Sequence, residues 1–328
     1  MKKAPVVITS IFPPNDVIKA YVKLGHEVIV AGDKKSPGDW FEEGCTFLSF
    51  NEQFNLFPVM AQLVSPNHYA RKNMGYLLAM QKSKTILETD DDNTPYDFYP
   101  NFVKEEIEVD TYFSNSRYIN IFQLMQGSTT KIWPRGYPLS LINDLSTIYK
   151  TKVKLKFPVQ HSLINHDTDV DAIYRLTNNS YIEFEPNKIF GISPHTYTPV
   201  NTQNTFWSKE AFLLMYIPST VASRVCDIYR GYIAQRLLWE LGFNLLVLSP
   251  SVSQNRNPHD YLKDLAEEVP LYTKIHYFVN ALEEVVLSGS IEDKLVQIYE
   301  ALISKGLIRQ EELPILNEWI VQVTKITA

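Results

Sequence analysis

The chain has 328 residues, enough for one large or two modest domains with a real core. Its 31 basic and 37 acidic residues give a net charge of −6, which excludes a general electrostatic attraction to nucleic acid or anionic lipid. With 45% hydrophobic residues, 21% charged residues and two distant cysteines, Cys45 and Cys226, it has the composition of an ordinary globular protein and no disulfide scaffold.

The N-terminus, MKKAPVVITSIF, reads as a first strand rather than a signal peptide. No window approaches the roughly 20 apolar residues of a membrane span, so the expectation is a cytoplasmic chain. After the β-branched run at 5–11 (PVVITSI), the segment NDVIKAYVKLG predicts a helix capped by Asn15 or Asp16 and stopped by Gly25. Further apolar runs at 26–33 (HEVIVAGD) and 45–50 (CTFLSF) complete a strand, helix, strand spacing that predicts a βαβ unit with a parallel sheet. A helix over 68–84 carries Arg71, Lys72 and Asn73 in its first turns.

That helix leads into KTILETDDDNTPY, where a short apolar strand ends in Asp90, Asp91 and Asp92. Three adjacent carboxylates repel one another unless a cation compensates them, and a hard dication prefers oxygen ligands and keeps phosphate oxygens in its shell. Carboxylates at the end of a strand in an open α/β sheet also lie where such sheets bind ligands. The stretch therefore predicts a site for Mn²⁺ or Mg²⁺ and a diphosphate.

Residues 93–110 and WPRGYP around Arg135 read as loops, and 149–157 (YKTKVKLKF) as a half-exposed strand. Asp167, Asp169 and Asp171 alternate, but the glycine and distal glutamate of an EF-hand are missing, which excludes a calcium loop. Asn201, Gln203 and Asn204 suit either sugar hydroxyls or a turn. The strongest helical segment, up to Gly242, has Ser219 or Thr220 as its cap and Asp227, Arg230 and Gly231 on one face. A last strand at 243–248 precedes a loop with His259 and Asp260, and the remainder is helical.

ITSIFPPND, VAGDKKSPGDW, YARKNMGY and ETDDDN, in this order, resemble the donor half of GT-A glycosyltransferases. More narrowly, with KIWPRGYPL, DVDAIYRL, NTQNTFW, RVCDIYRGYIAQRLLWELG and NPHDYLKDL, the chain resembles the STELLO family of glycosyltransferases. The same landmarks are distantly similar to the reversibly glycosylated polypeptides of plants, among them UDP-arabinopyranose mutases. The resemblance implies a GT-A, Rossmann-like α/β fold with a mixed, mainly parallel sheet, a catalytic domain over 1–265 and a helical extension over 266–328.

It further implies transfer of a sugar from a nucleotide-sugar, a UDP-sugar for preference, to a glycan or other hydroxyl acceptor. Asp90, Asp92 and His259 then hold the metal, and Thr9, Ser10, Asp33, Arg71, Lys72, Asp91, Arg230 and Asn204 bind the donor. Asp227 becomes the acid facing the reacting sugar carbon, and Arg135, the second catalytic candidate, falls at the position of the arginine that is reversibly glycosylated in the mutase relatives. Gly231 would let substrate approach the backbone. The alternatives are a mutase or self-glycosylating protein that uses Arg135, or a non-catalytic scaffold for polysaccharide synthesis. The C-terminal helices are expected to pack on the catalytic domain or to form an interface between copies.

Overall fold

The computed structural model describes residues 3–126, 131–144, 146–178, 180–257 and 260–328. Its strands are β1 (Val6–Thr9), β2 (Val28–Ala31), β3 (Cys45–Leu48), β4 (Thr85–Thr89), β5 (Asn93–Pro95), β6 (Ile107–Ser114), β7 (Ile148–Leu155), β8 (Val159–His166), β9 (Ile189–Ile192), β10 (Asn204–Ser208) and β11 (Leu245–Gln254). The helices are α1 (Asp16–Lys23), α2 (Phe50–Leu56), α3 (Pro58–Leu63), α4 (Lys72–Met80), α5 (Ile121–Gln126), α6 (Ala172–Thr177), α7 (Ser223–Glu240), α8 (Tyr261–Glu284), α9 (Ile291–Ser304) and α10 (Glu312–Thr327).

The strands form one sheet in the order β3-β2-β1-β4-β10-β8-β11-β9-β6-β7, with β5 paired to β11. The first four are parallel, as the βαβ spacing predicts, and give a Rossmann-like α/β fold. Beyond them the sheet is mixed: β10 runs antiparallel to both β4 and β8, and β11 lies parallel to β8. This topology has a direct consequence for the site. The carboxyl ends of β1, β2, β4, β8 and β11 and the amino end of β10 all reach the same rim, so residues around 10, 33, 90, 167, 203 and 255 become neighbours.

Side chains alternate across the sheet. Val7, Ile29, Ile86 and Trp207 join an apolar cluster with α4, α7 and the C-terminal helices, whereas Val6, Ile8, Val28, Leu87 and Phe206 join another with α1. Asn15 caps α1 by accepting from the Ile18 amide at 3.0 Å, as its sequence predicts. The long helix α7 differs from expectation at its start. It begins at Ser223 after Ala222, and no side chain caps it. Ser219 and Thr220 lie in the preceding turn, where their amides donate to the buried carboxylate of Glu312 on α10 at 2.7–3.0 Å. Residue 265 falls within α8, and α10 packs on α3 and α4. Among the described residues, no helix is long and apolar enough to cross a membrane.

Candidate functional site

The acidic triplet follows β4 at the rim, and each of its carboxylates is held by a different element. Tyr69 donates to Asp90 Oδ1 at 2.5 Å, and Lys72 Nζ reaches the same oxygen at 3.2 Å while also bonding Tyr69 Oη and the Thr89 carbonyl. Ser10 Oγ donates to Asp91 Oδ2 at 2.5 Å. Gln254, at the end of β11, donates through Nε2 to both oxygens of Asp92 at 3.0 and 3.1 Å. Burial, followed by the charge of Asp90, pushes the Asp92 carboxyl up to about 7, and burial raises Asp91 as well. The acids are thus crowded and largely desolvated, and Lys72 is ion-paired with Asp90.

Across the cleft, Arg135 is buried between Asp169 and Asp227. Its Nε and Nη2 donate to the two Asp169 oxygens at 2.9 Å, and its Nη1 and Nη2 donate to the two Asp227 oxygens at 3.0 and 2.8 Å. The remaining N–H meets the Arg224 carbonyl, so all five donors of the guanidinium are engaged. Burial alone would lower the Arg135 pKa, but the two carboxylates more than offset it and hold the group firmly protonated. Gly136 makes this possible locally. Its φ of +86° turns the loop back, and an added Cβ would lie 2.5 Å from Ile228 on α7. A chain of amides then links the two halves. Asn201 donates to Asp169 at 2.8 Å and to Gln203 at 3.2 Å, and Gln203 donates to Gln254 at 3.2 Å.

These groups line a cavity of about 240 Å³ that includes Asp90, Asp91, Asp92, Arg135, Arg224 and Asp227. A second cavity, of about 280 Å³, shares Thr9, Tyr69, Asp91 and Ser223 with it and extends over the ends of β1 and β2 to Ser10, Asp33 and Arg71. Arg71 is turned inward, bonding Gln53 and the Ala61 and Val64 carbonyls, but its Nη2 has no partner among the described residues. Lys72 spends its three donors within the protein and so fixes Asp90.

Besides Lys72, two expected donor-binding residues line neither cavity. Arg230 forms a fully buried pair with Glu88, two bonds of 2.8 Å, over the face of Trp207. Asn204 bonds Ser251 Oγ and the Leu163 carbonyl inside the sheet. Gly231 admits protein rather than substrate, since an added Cβ would sit 2.2 Å from the Val200 carbonyl. His259 lies outside the described residues. Sequence reasoning passed over Tyr69, Gln254, Arg224 and Arg256, all of which line the main cavity. A tyrosine leading a helix and a polar residue ending a strand carry no distinguishing local signal.

Among the described residues, no three His, Cys, Asp or Glu side chains converge as a metal cage. Asp90 and Asp92 nevertheless fit Mn²⁺ or Mg²⁺ bound in part by a substrate. Such an ion commonly takes one or two carboxylates and completes its shell with phosphate and water.

Residues 224–327 match the family model described as STELLO glycosyltransferases. The chain is 29% identical over 272 residues to a protein of Arabidopsis thaliana named "Probable glycosyltransferase STELLO2", covering 75% of the chain and 35% of that relative. It is 26% identical to "Probable glycosyltransferase STELLO1" of the same plant, covering 96% of the chain and 43% of that relative. The chain therefore spans less than half the length of these relatives. Together with the order of motifs along the sequence, these matches make the chain similar to the STELLO glycosyltransferases over most of its length.

Proposed function

We propose that the chain is a metal-dependent glycosyltransferase that takes a nucleotide-sugar, a UDP-sugar for preference, and passes its sugar to a hydroxyl acceptor. The observation that carries this reading is the meeting in one cleft of the acidic triplet with Arg224, Arg256 and the Arg135–Asp227 pair. Asp90 and Asp92 would hold Mn²⁺ or Mg²⁺, which when bound supplies Lewis-acid neutralisation of the departing diphosphate. Arg224, paired with Glu268, and Arg256, paired with Asp264, also line this cleft, and guanidinium groups suit phosphate oxygens. The adjoining cavity suits the nucleoside. There Asp33 offers a carboxylate for ribose hydroxyls, and Arg71 forms part of the wall.

Asp227 is clamped through both oxygens by Arg135, and each oxygen keeps a lone pair for a sugar hydroxyl. That arrangement orients a reacting group without demanding a large motion. It does not favour the self-glycosylating alternative. A protonated guanidinium with every N–H engaged has no lone pair with which to attack a sugar carbon. The test is UDP release from a panel of UDP-sugars with Mn²⁺ present. Asp90→Asn combined with Asp92→Asn is expected to lower turnover at least 100-fold, and undiminished turnover would refute the proposed site.

A further inference from the structure

Beside the cleft lies a third cavity, of about 330 Å³, with a different character. Its walls include Tyr174, Tyr181 and Tyr261, together with Asp167, Arg175 and Asn178. Tyr181 is 72% exposed, an unusual state for a large aromatic, and meets the His166 ring edge-on with centroids 5.6 Å apart. Arg175 bonds Asp167 Oδ1 at 2.9 Å and the Asp167 and Thr168 carbonyls, so its charge is balanced and its position fixed. Its Nε nonetheless finds no acceptor among the described residues, although the side chain is nine-tenths buried. An arginine held this way is a fixed, charge-balanced wall of the cavity rather than an attractive field for anions.

Only a short segment separates this cavity from the cleft. Asp167 and Val170 line the cavity, whereas Asp169 between them holds Arg135. Asp167 also accepts from the backbone amide of Arg256, a residue of the main cleft, at 3.2 Å. Tyr174 packs edge-on against Trp133, two residues before Arg135, with ring centroids 5.1 Å apart.

We propose that this cavity is a saccharide subsite, which takes a neutral sugar ring of the acceptor while a neighbouring ring occupies the cleft. Aromatic faces receive the apolar C–H face of a pyranose, and fixed carboxylate, amide and guanidinium groups both donate to and accept from its hydroxyls. The balanced charge disfavours a phosphorylated ligand, and the polar walls disfavour a lipid chain. Its role as an acceptor subsite rests on the glycosyltransferase reading; saccharide binding itself does not.

The test uses the full chain, saturation-transfer NMR and four neutral hexasaccharides: β-1,4-linked glucose, xylose and mannose, and α-1,4-linked glucose. Saturation is expected to reach the ring C–H protons of at least one of them. Tyr181→Ala with Tyr261→Ala should weaken that binding at least tenfold. The thermal shift produced by UDP with Mn²⁺ should be the same in the wild type and the variant. Tyr181→Ala alone, at an exposed ring, gives a smaller loss and keeps the test readable if the double variant fails to fold. Binding by none of the four, equal binding by the variants, or a change of oligomeric state in place of a binding loss would overturn the subsite. Saccharide binding without any UDP shift would support the subsite and count only against the glycosyltransferase reading.

Discussion

Arg135 shows how one residue can organise a site without being free to react. A guanidinium matches two carboxylates at once because its donors are planar and fixed, and lysine offers only a point charge with three rotatable donors. Arg135→Lys should therefore leave Asp169 and Asp227 buried and incompletely paired, costing about 3–5 kcal/mol in urea unfolding. UDP release should fall at least 100-fold with it. Nearby, Asp171 is buried, accepts from the Trp133 indole at 2.6 Å and has its carboxyl pushed up to about 6 by that burial. The folded state therefore binds this proton more tightly than the unfolded chain does. Its contribution to stability is greatest at acid pH and is lost as pH rises from about 4 through 6. Relative to Asp171→Asn, wild-type stability should decline over that window, by on the order of 2–3 kcal/mol, in urea melts at stepped pH. At this scale the triplet, Arg135 and Asp227 were legible because acids and arginines in an ordered set of motifs are distinctive. The partners of Arg230 were not. Glu88 lies 142 positions away, and nothing in DIYRG tells an arginine that pairs within the core from one that meets a phosphate.

At the scale of elements, α7 carries three functions on one face: Asp227 toward Arg135, Arg230 toward Glu88, and Gly231 against Val200. The helical spacing was readable, but what the glycine admits depends on tertiary contact. Alanine is worth about 1 kcal/mol more than glycine inside a helix, so Gly231→Ala would stabilise an uncrowded α7. Here the added Cβ would overlap the Val200 carbonyl at 2.2 Å, and overpacking of this kind costs about 1–3 kcal/mol. A lower melting temperature, together with weaker UDP binding as residues 201–203 shift, is the expected outcome; a rise would contradict the packing. The same logic explains why the α7 cap was misread. Ser219 and Thr220 are good cap residues by type, but a carboxylate from α10 already satisfies that turn.

For the whole molecule, the sheet order turns a scattered set of residues into one cleft. The parallel start of the sheet was legible from strand spacing and apolar runs. The antiparallel insertion of β10 between β4 and β8 was not, because its NTFWS run has no local mark of direction. The C-terminal helices are tied in by Glu312, which is fully buried, and by Trp319, whose indole donates to the Leu213 carbonyl at 2.9 Å. Glu312→Ala should strand the Ser219 and Thr220 amides and the Tyr216 hydroxyl, at a cost of roughly 3 kcal/mol or more in chemical unfolding. The most direct measurement of the central claim is calorimetric titration of UDP into the wild type and the Asp90→Asn, Asp92→Asn double variant, with and without Mn²⁺. The account predicts that Mn²⁺ tightens UDP binding at least tenfold in the wild type and has no effect in the variant. Equal metal dependence in both proteins would contradict it.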